Sequence, residues 1–98
     1  MISRETILNL LKINKPKLSI FGIRKVGLFG SYSRDEQTNE SDIDLLIEFE
    51  PEKENFDNLM SVYDFFEEIF KNQKIEIVTK NGLSPYIGPE ILKEVQYV

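Results

Sequence analysis

Two aspartates separated by one residue, Asp42 and Asp44, are the best candidates for chemistry in this chain. They open an apolar run that continues to Phe49 and is typical of a β-strand. Alternate side chains of a strand share a face, so we expect both carboxylates to project together, with Cα atoms about 6 to 7 Å apart. Carboxylates this close repel each other unless divalent cations lie between them, as at paired metal sites for phosphoryl displacement. Taken alone, the pattern is more often two solvated aspartates beginning an edge strand.

A glycine-serine turn precedes the aspartate pair. Gly30 allows the backbone to turn tightly and to approach a ligand closely. Ser31 offers a hydroxyl group and, if a helix begins there, unpaired backbone amides that point at a phosphate. Arg34 lies one helical turn further on and could reach the same anion. An ordinary strand-to-helix turn with a serine cap has the same local sequence, so the turn alone does not establish a phosphate site.

A third acid, Glu76, interrupts an otherwise apolar segment. It alternates with Ile75 and Ile77, so its side chain should face away from those two residues. If this segment is a strand beside the aspartate strand, Glu76 joins the face that carries Asp42 and Asp44. The alternative is an outward-facing glutamate on a half-exposed strand.

Composition limits the kinds of site and partner. The chain has 98 residues, no cysteine and no histidine, so a metal here must be a hard cation held by oxygen, such as Mg²⁺, Mn²⁺ or Ca²⁺. A formal net charge of −5 disfavours broad contact with nucleic acid, since that affinity comes mainly from Lys and Arg. No apolar run of about 18 residues could span a membrane, and the first residues lack the order of a secretory signal. We therefore expect one cytoplasmic domain over residues 1–98.

The periodicity of apolar residues predicts helices alternating with three strands. The predicted elements are a helix capped by Ser3, strands Ile23 to Phe29, Asp42 to Phe49 and Lys74 to Thr79, a helix Phe56 to Phe70, and a closing helix from about Glu90 to Tyr97. This order indicates an α/β or α+β fold, a small mixed sheet layered with helices. The apolar stripe of the Phe56 to Phe70 helix is broad, which fits a well-packed monomer core and, as an alternative, a partner surface.

Taken together, these features resemble the minimal nucleotidyltransferase family, of the DNA polymerase beta type. The family pattern is Gly-Ser-x-Ala-Arg-Gly, a polar loop, and then Ser-Asp-x-Asp before an apolar strand. In this chain the two segments read Gly30-Ser31-Tyr32-Ser33-Arg34-Asp35 and Ser41-Asp42-Ile43-Asp44. The chain departs from the pattern at Ser33 and Asp35, and Glu76 stands where an aspartate is usual. The extra methylene of that glutamate, about 1.5 Å, could weaken turnover, because a misplacement of about 1 Å can cost about a hundredfold in rate.

The resemblance implies a polymerase beta-like fold and a site for ATP and two Mg²⁺ ions. On this interpretation Asp42, Asp44 and Glu76 are the catalytic and metal-binding acids, and the third acid helps to deprotonate an acceptor hydroxyl. Gly30, Ser31 and Arg34 would bind the nucleotide. The products would be an adenylylated acceptor and pyrophosphate.

The same resemblance suggests a partner. Small members of this family resemble the antitoxin half of a two-protein system, in which the partner is a HEPN-domain toxin that receives AMP on a tyrosine. This suits a chain too small to build its own acceptor pocket, and it implies a hetero-oligomer. The alternative is a catalytically weak binding module that masks its partner with the Phe56 to Phe70 stripe. Transfer to a small molecule or an RNA end ranks last, because it requires an extra acceptor domain.

Overall fold

A computed structural model describes residues 2–98 of the chain. Four helices and four strands follow one another along it, with a short 3-10 turn at Lys80–Gly82. In chain order the elements are α1 (Arg4–Ile13), α2 (Lys15–Ile20), β1 (Ile23–Phe29), β2 (Ile43–Phe49), α3 (Phe56–Ile69), β3 (Ile75–Thr79), α4 (Gly88–Glu94) and β4 (Gln96–Tyr97). None of the helices within residues 2–98 is long and apolar enough to cross a membrane.

The strands form one mixed sheet in the order β3-β2-β1-β4. Strand β1 runs antiparallel to both β2 and β4, whereas β2 and β3 are parallel. A parallel pair needs a crossover connection, and α3 supplies it between β2 and β3. This arrangement confirms the predicted mixed sheet layered with helices.

One face of the sheet carries the hydrophobic core. In β2 the alternate residues Ile43, Leu45 and Ile47 are all 0% exposed. They belong to one cluster with side chains from the first three helices, namely Ile7, Leu11, Leu18, Val62 and Phe66. Because side chains alternate along a strand, the residues between them lie on the opposite face, which these helices leave uncovered.

Side-chain caps fix where the two longest helices begin. Ser3 accepts a hydrogen bond from the Thr6 amide at the start of α1, as the sequence predicts. Asn55 accepts one from the Asn58 amide at the start of α3. These caps satisfy amides that have no partner within a helix.

The broad apolar stripe of α3 is mostly core. Val62, Phe66 and Phe70 are buried, and the partly buried residues beside them also pack against the core cluster. Only Phe56, 75% exposed, and Met60, 41% exposed, remain as large exposed apolar side chains on this helix. Packing in the core of this chain therefore explains most of the apolar stripe, and little of it is left for a partner surface.

The predicted closing helix from Glu90 to Tyr97 is wrong in its second half. Helix α4 ends at Glu94, and Gln96–Tyr97 form β4 against Gly27 and Leu28 of β1. The Val98 amide then donates to the Val26 carbonyl at 3.2 Å. The backbone groups of the last residues could be satisfied either by another helical turn or by pairing with the free edge of β1. They pair with β1, so the helix ends at Glu94.

Candidate active site

The register of β2 against β3 places Asp44 directly beside Glu76. Both lie on the sheet face opposite the core, and Asp42 immediately precedes β2. Burial raises the pKa of Asp44 to about 7, and the charge of Glu76, a hydrogen bond with Glu76 and the charge of Asp42 act in the same direction. Arg34 opposes this rise. Glu76 and Asp42 are thus close enough to Asp44 to act on its carboxyl group, as expected if Glu76 belongs to a neighbouring strand.

Gly30 makes room for the Asp44 carboxylate at the end of β1. Its φ is +76°, a conformation that favours glycine. A Cβ atom at this position would overlap Asp44 Oδ2 and crowd its Cγ and Cβ atoms. The strand pairing explains this closeness, because Phe29, the last residue of β1, pairs with Asp44. A residue with any side chain would therefore push the acid away from its position.

The residues after Gly30 form a single helix-like turn. The Gly30 carbonyl accepts from the Ser33 amide at 3.1 Å and from the Arg34 amide at 3.2 Å. The Ser33 hydroxyl donates to the same carbonyl at 2.9 Å. Within residues 2–98, the amides of Ser31 and Tyr32 have no acceptor. These free donors at the start of a turn are suited to an anion such as phosphate.

The sequence suggested that Arg34 could reach an anion at the Gly30 turn, and in the structure its guanidinium is paired with two carboxylates. Its Nη1 donates to Glu94 Oε2 at 2.8 Å, and its Nε donates to Glu36 Oε1 at 2.8 Å. Hydrogen bonds with Glu36 and Glu94 raise the pKa of the guanidinium. Glu94 Oε1 also accepts from the Gly30 amide at 3.1 Å. Glu94 is a site residue that sequence reasoning missed, because no local pattern links it to a turn 60 positions earlier.

An open cleft of about 490 Å³ runs beside this turn. Its polar lining consists of Gly30, Arg34, Glu76, Ser84 and Glu94. The apolar part of its lining, called the apolar wall, consists of Phe29, Val78, Leu83, Ile87 and Ile91. A volume of a few hundred Å³, an apolar wall and a few convergent polar groups are typical of a small-molecule site.

The three acids suit Mg²⁺ only if a ligand shares the coordination. Within the described part of the chain, no group of three or more acidic, histidine or cysteine side chains is arranged to hold a metal by itself. Mg²⁺ is usually bound by one or two carboxylates together with phosphate oxygens and waters. Asp42, Asp44 and Glu76 offer the right hard oxygen donors. Burial is the largest cause of the raised pKa of Asp44, the charges of Glu76 and Asp42 add to it, and this repulsion favours a cation beside Asp44. The residues therefore fit a metal that arrives with a phosphate ligand.

Sequence comparison relates nearly the whole chain to one family. A family model described as a nucleotidyltransferase domain matches residues 7–98. The protein adenylyltransferase MntA of Thermococcus cleftensis is 33% identical over 99 residues, which cover 100% of this chain and 98% of that protein.

Comparison of structures points the same way. A solved structure described as a minimal nucleotidyltransferase superposes with a TM-score of 0.82 at 25% identity, covering 97% of this chain and 95% of the other. A toxin-antitoxin structure with AMP-PNP superposes with a TM-score of 0.64 at 20% identity, covering 98% of this chain and 72% of the other. At that identity the second likeness supports the fold alone.

Proposed function

Since the chain belongs to the nucleotidyltransferase domain family, we propose that it transfers AMP from ATP to a hydroxyl group on a partner protein. The observation that carries this proposal is the pairing of Asp44 with Glu76 beside the Gly30 turn. The acids and the turn come from three different strands or strand ends, yet they meet at one end of the open sheet face. Gly30 and Glu76 also line the cleft.

The turn and the cleft supply the parts of a nucleotide site. The free amides of Ser31 and Tyr32, the Ser31 hydroxyl and the Arg34 guanidinium are donors for the phosphates of ATP. The apolar wall that includes Ile87 and Ile91 offers a surface for the nucleoside. This division places the phosphates next to the three acids, where transfer has to occur.

The acids have two tasks in this reaction. Asp42, Asp44 and Glu76 would hold two Mg²⁺ ions, which when bound neutralise negative charge on the attacked phosphate. Glu76 would also accept the proton of the acceptor hydroxyl. The acceptor oxygen forms a bond to the α-phosphorus while the bond from that phosphorus to the β-phosphate oxygen breaks, and pyrophosphate leaves. The chain mainly positions the reactants.

The proposed acceptor is a toxin protein of the HEPN class, with this chain as its antitoxin. The relative from Thermococcus cleftensis is called a protein adenylyltransferase, and toxin-antitoxin structures of MntA with HpeT share the fold. In the described residues, the cleft that holds Gly30 and Glu76 is open on one side, which leaves room for a hydroxyl from another molecule. The two proteins would act as a hetero-oligomer.

Transfer of label tests this proposal. Purified protein is incubated with α-labelled ATP, Mg²⁺ and a purified HEPN-class toxin as the candidate partner, and the Asp44→Asn variant is compared. Asp64→Asn is the matched control, because Asp64 is an exposed aspartate on α3 far from the three acids along the chain. We expect label on the partner with the wild type and with Asp64→Asn, and none with Asp44→Asn. Equal labelling by all three proteins would contradict the assignment of Asp44.

A pure binding module is the weaker alternative. In this alternative the chain would cover its partner with the apolar stripe of α3. However, Val62, Phe66 and Phe70 of that stripe are buried in the core of this chain. Phe56 and Met60 alone offer a small apolar contact. A partner neutralised equally well by the wild type and by Asp44→Asn, without any label, would restore this alternative.

A further inference from the structure

A carboxylate of the chain itself already pairs with Arg34, a proposed phosphate donor, and with the amide of Gly30 at the start of the same turn. Glu94 Oε1 accepts from the Gly30 amide at 3.1 Å, and Glu94 Oε2 accepts from Arg34 Nη1 at 2.8 Å. One anion thus bridges a backbone amide and a guanidinium group. A phosphate group is commonly held by this same pair of donor types.

The backbone keeps Glu94 in this position. Glu94 is the last residue of α4, and β4 begins two residues later with pairing to Gly27 and Leu28 of β1. The Val95 amide still donates to the Ile91 carbonyl at 2.9 Å, so both sides of Glu94 are anchored. Its side chain is only 26% exposed. The contact therefore follows from how the chain closes its sheet and is more than a surface ion pair.

We infer that Glu94 competes with the phosphates of the nucleotide for Gly30 and Arg34, and that it must swing away when a triphosphate binds. This inference rests on the proposed function of the site. Gly30 has a single amide hydrogen, so its bond to Glu94 excludes a phosphate oxygen from that donor. Glu94 also adds negative charge to a cleft that already contains Glu76. Both effects lower the affinity for a polyanion.

A purely supporting role for Glu94 leads to the opposite expectation. If Glu94 served to hold Arg34 in a conformation ready for ATP, its removal would weaken nucleotide binding. If Glu94 is a competitor, its removal strengthens binding, and the gain should depend on the β- and γ-phosphates. The sign of the change therefore separates the two roles.

The test is calorimetric titration of the full chain with AMP-PNP and with AMP, both in Mg²⁺. Glu94→Gln keeps an oxygen for the Gly30 amide but loses the ion pair with Arg34, and Glu94→Ala frees both donors. Glu90→Gln is the matched control, because it removes the same charge from an exposed position on α4. We expect both Glu94 variants to bind AMP-PNP about threefold to tenfold more tightly than the wild type, as one partly exposed ion pair and a shared amide allow. AMP affinity, and both affinities of Glu90→Gln, should change less than about twofold.

The possible outcomes have different consequences. Unchanged or weaker AMP-PNP binding by folded Glu94→Gln would overturn the inference and leave the proposed function standing. An equal gain for AMP and AMP-PNP would also overturn it, because AMP lacks the outer phosphates. If neither the wild type nor the variants bind AMP-PNP, the proposed function itself fails, and the inference fails with it. Should Glu94→Ala not fold, Glu94→Gln alone decides between these outcomes.

Discussion

The two faces of the sheet are built from the same strands but differ in role: one packs the hydrophobic core and the other carries the candidate active site. On the face covered by α1, α2 and α3, Ile43, Leu45 and Ile47 of β2 are completely buried. On the other face, the residues between them are Asp44, Leu46 and Glu48, of which Leu46 is also buried, and β3 adds Glu76. The covered face consists of apolar contacts. The open face holds Asp44, whose pKa is raised, and lies beside the cleft and the Gly30 turn.

The difference shows how strand alternation separates stability from chemistry in a small protein. A register shift of one residue would move every side chain to the wrong face, so the core side fixes where the acids project. The acids in turn cost stability, because burial disfavours the charged form of Asp44 and the charges of Glu76 and Asp42 add to this cost. Core substitutions should therefore affect folding, and open-face substitutions should affect function.

The largest expected effect is loss of transfer on changing Glu76 to glutamine. The variant keeps the shape of the side chain but cannot accept the proton of the acceptor hydroxyl, so we expect the rate to fall about 10²- to 10⁴-fold. Initial rates of label transfer from ATP measure this. Glu48→Gln is the matched control on the same face, since Glu48 pairs with Lys80 near the other end of β2. A similar loss for both variants would mean that the face responds to charge in general.

The next largest effect concerns the covered face. Leu45→Ala should lower the free energy of unfolding by about 2 to 5 kcal/mol, because it leaves a cavity in a core position that is 0% exposed. Urea unfolding followed by circular dichroism gives this value. Leu92→Ala, at a position 43% exposed on α4, should cost less than about 0.5 kcal/mol. If Leu45→Ala had the same free energy of unfolding as the wild type, the claim that the covered face stabilises the fold would be wrong.

The smallest expected effect is a pH-dependent gain of stability on replacing Asp44. Its pKa is raised to about 7 in the folded protein, so the folded state holds a proton that the unfolded chain releases nearer its ordinary value of 3.8. This contribution to stability is present below about pH 4 and is lost as the pH rises through 7. Without nucleotide or metal, Asp44→Asn should therefore gain stability over the wild type as the pH rises from 5 to 8.

After a discount for solvent screening of this half-buried side chain, we expect the gain to reach about 1 kcal/mol, or about 4 to 8 °C in Tm. Thermal unfolding at both pH values measures it, and Asp64→Asn provides the baseline for loss of one aspartate. A difference that stays constant or shrinks between pH 5 and pH 8 would show that the pKa of Asp44 is not raised in the folded protein.

Local patterns allowed much of the fold to be predicted from the sequence. The bounds of β1, Ile23–Phe29, are those predicted, because Gly22 and Gly30 mark both ends. The position of Glu76 beside Asp44 also followed from alternation, once the two strands proved to be neighbours. Such features depend on periods of two or on turn residues, which a sequence displays directly.

The parts that escaped prediction depend on contacts between distant segments. Strand β4 has only two residues, too few for a periodic pattern, and it exists because the edge of β1 is free. The position of Glu94 follows from β4, and so does its contact with Gly30. A glutamate in the last turn of a helix is also unfavourable for the helix dipole, which gives a reason in hindsight to look for a partner elsewhere.

Mg²⁺-dependent binding of AMP-PNP tests the central claim most directly, namely that the acids on the open face hold the metal and the triphosphate together. The affinity of the wild type and of Asp44→Asn is measured with Mg²⁺ and with EDTA. We predict that Mg²⁺ strengthens binding to the wild type at least about tenfold, a difference of 1.4 kcal/mol, and that Asp44→Asn remains folded but loses this gain. If Mg²⁺ strengthens binding to Asp44→Asn as much as to the wild type, the metal site lies elsewhere and the account is wrong.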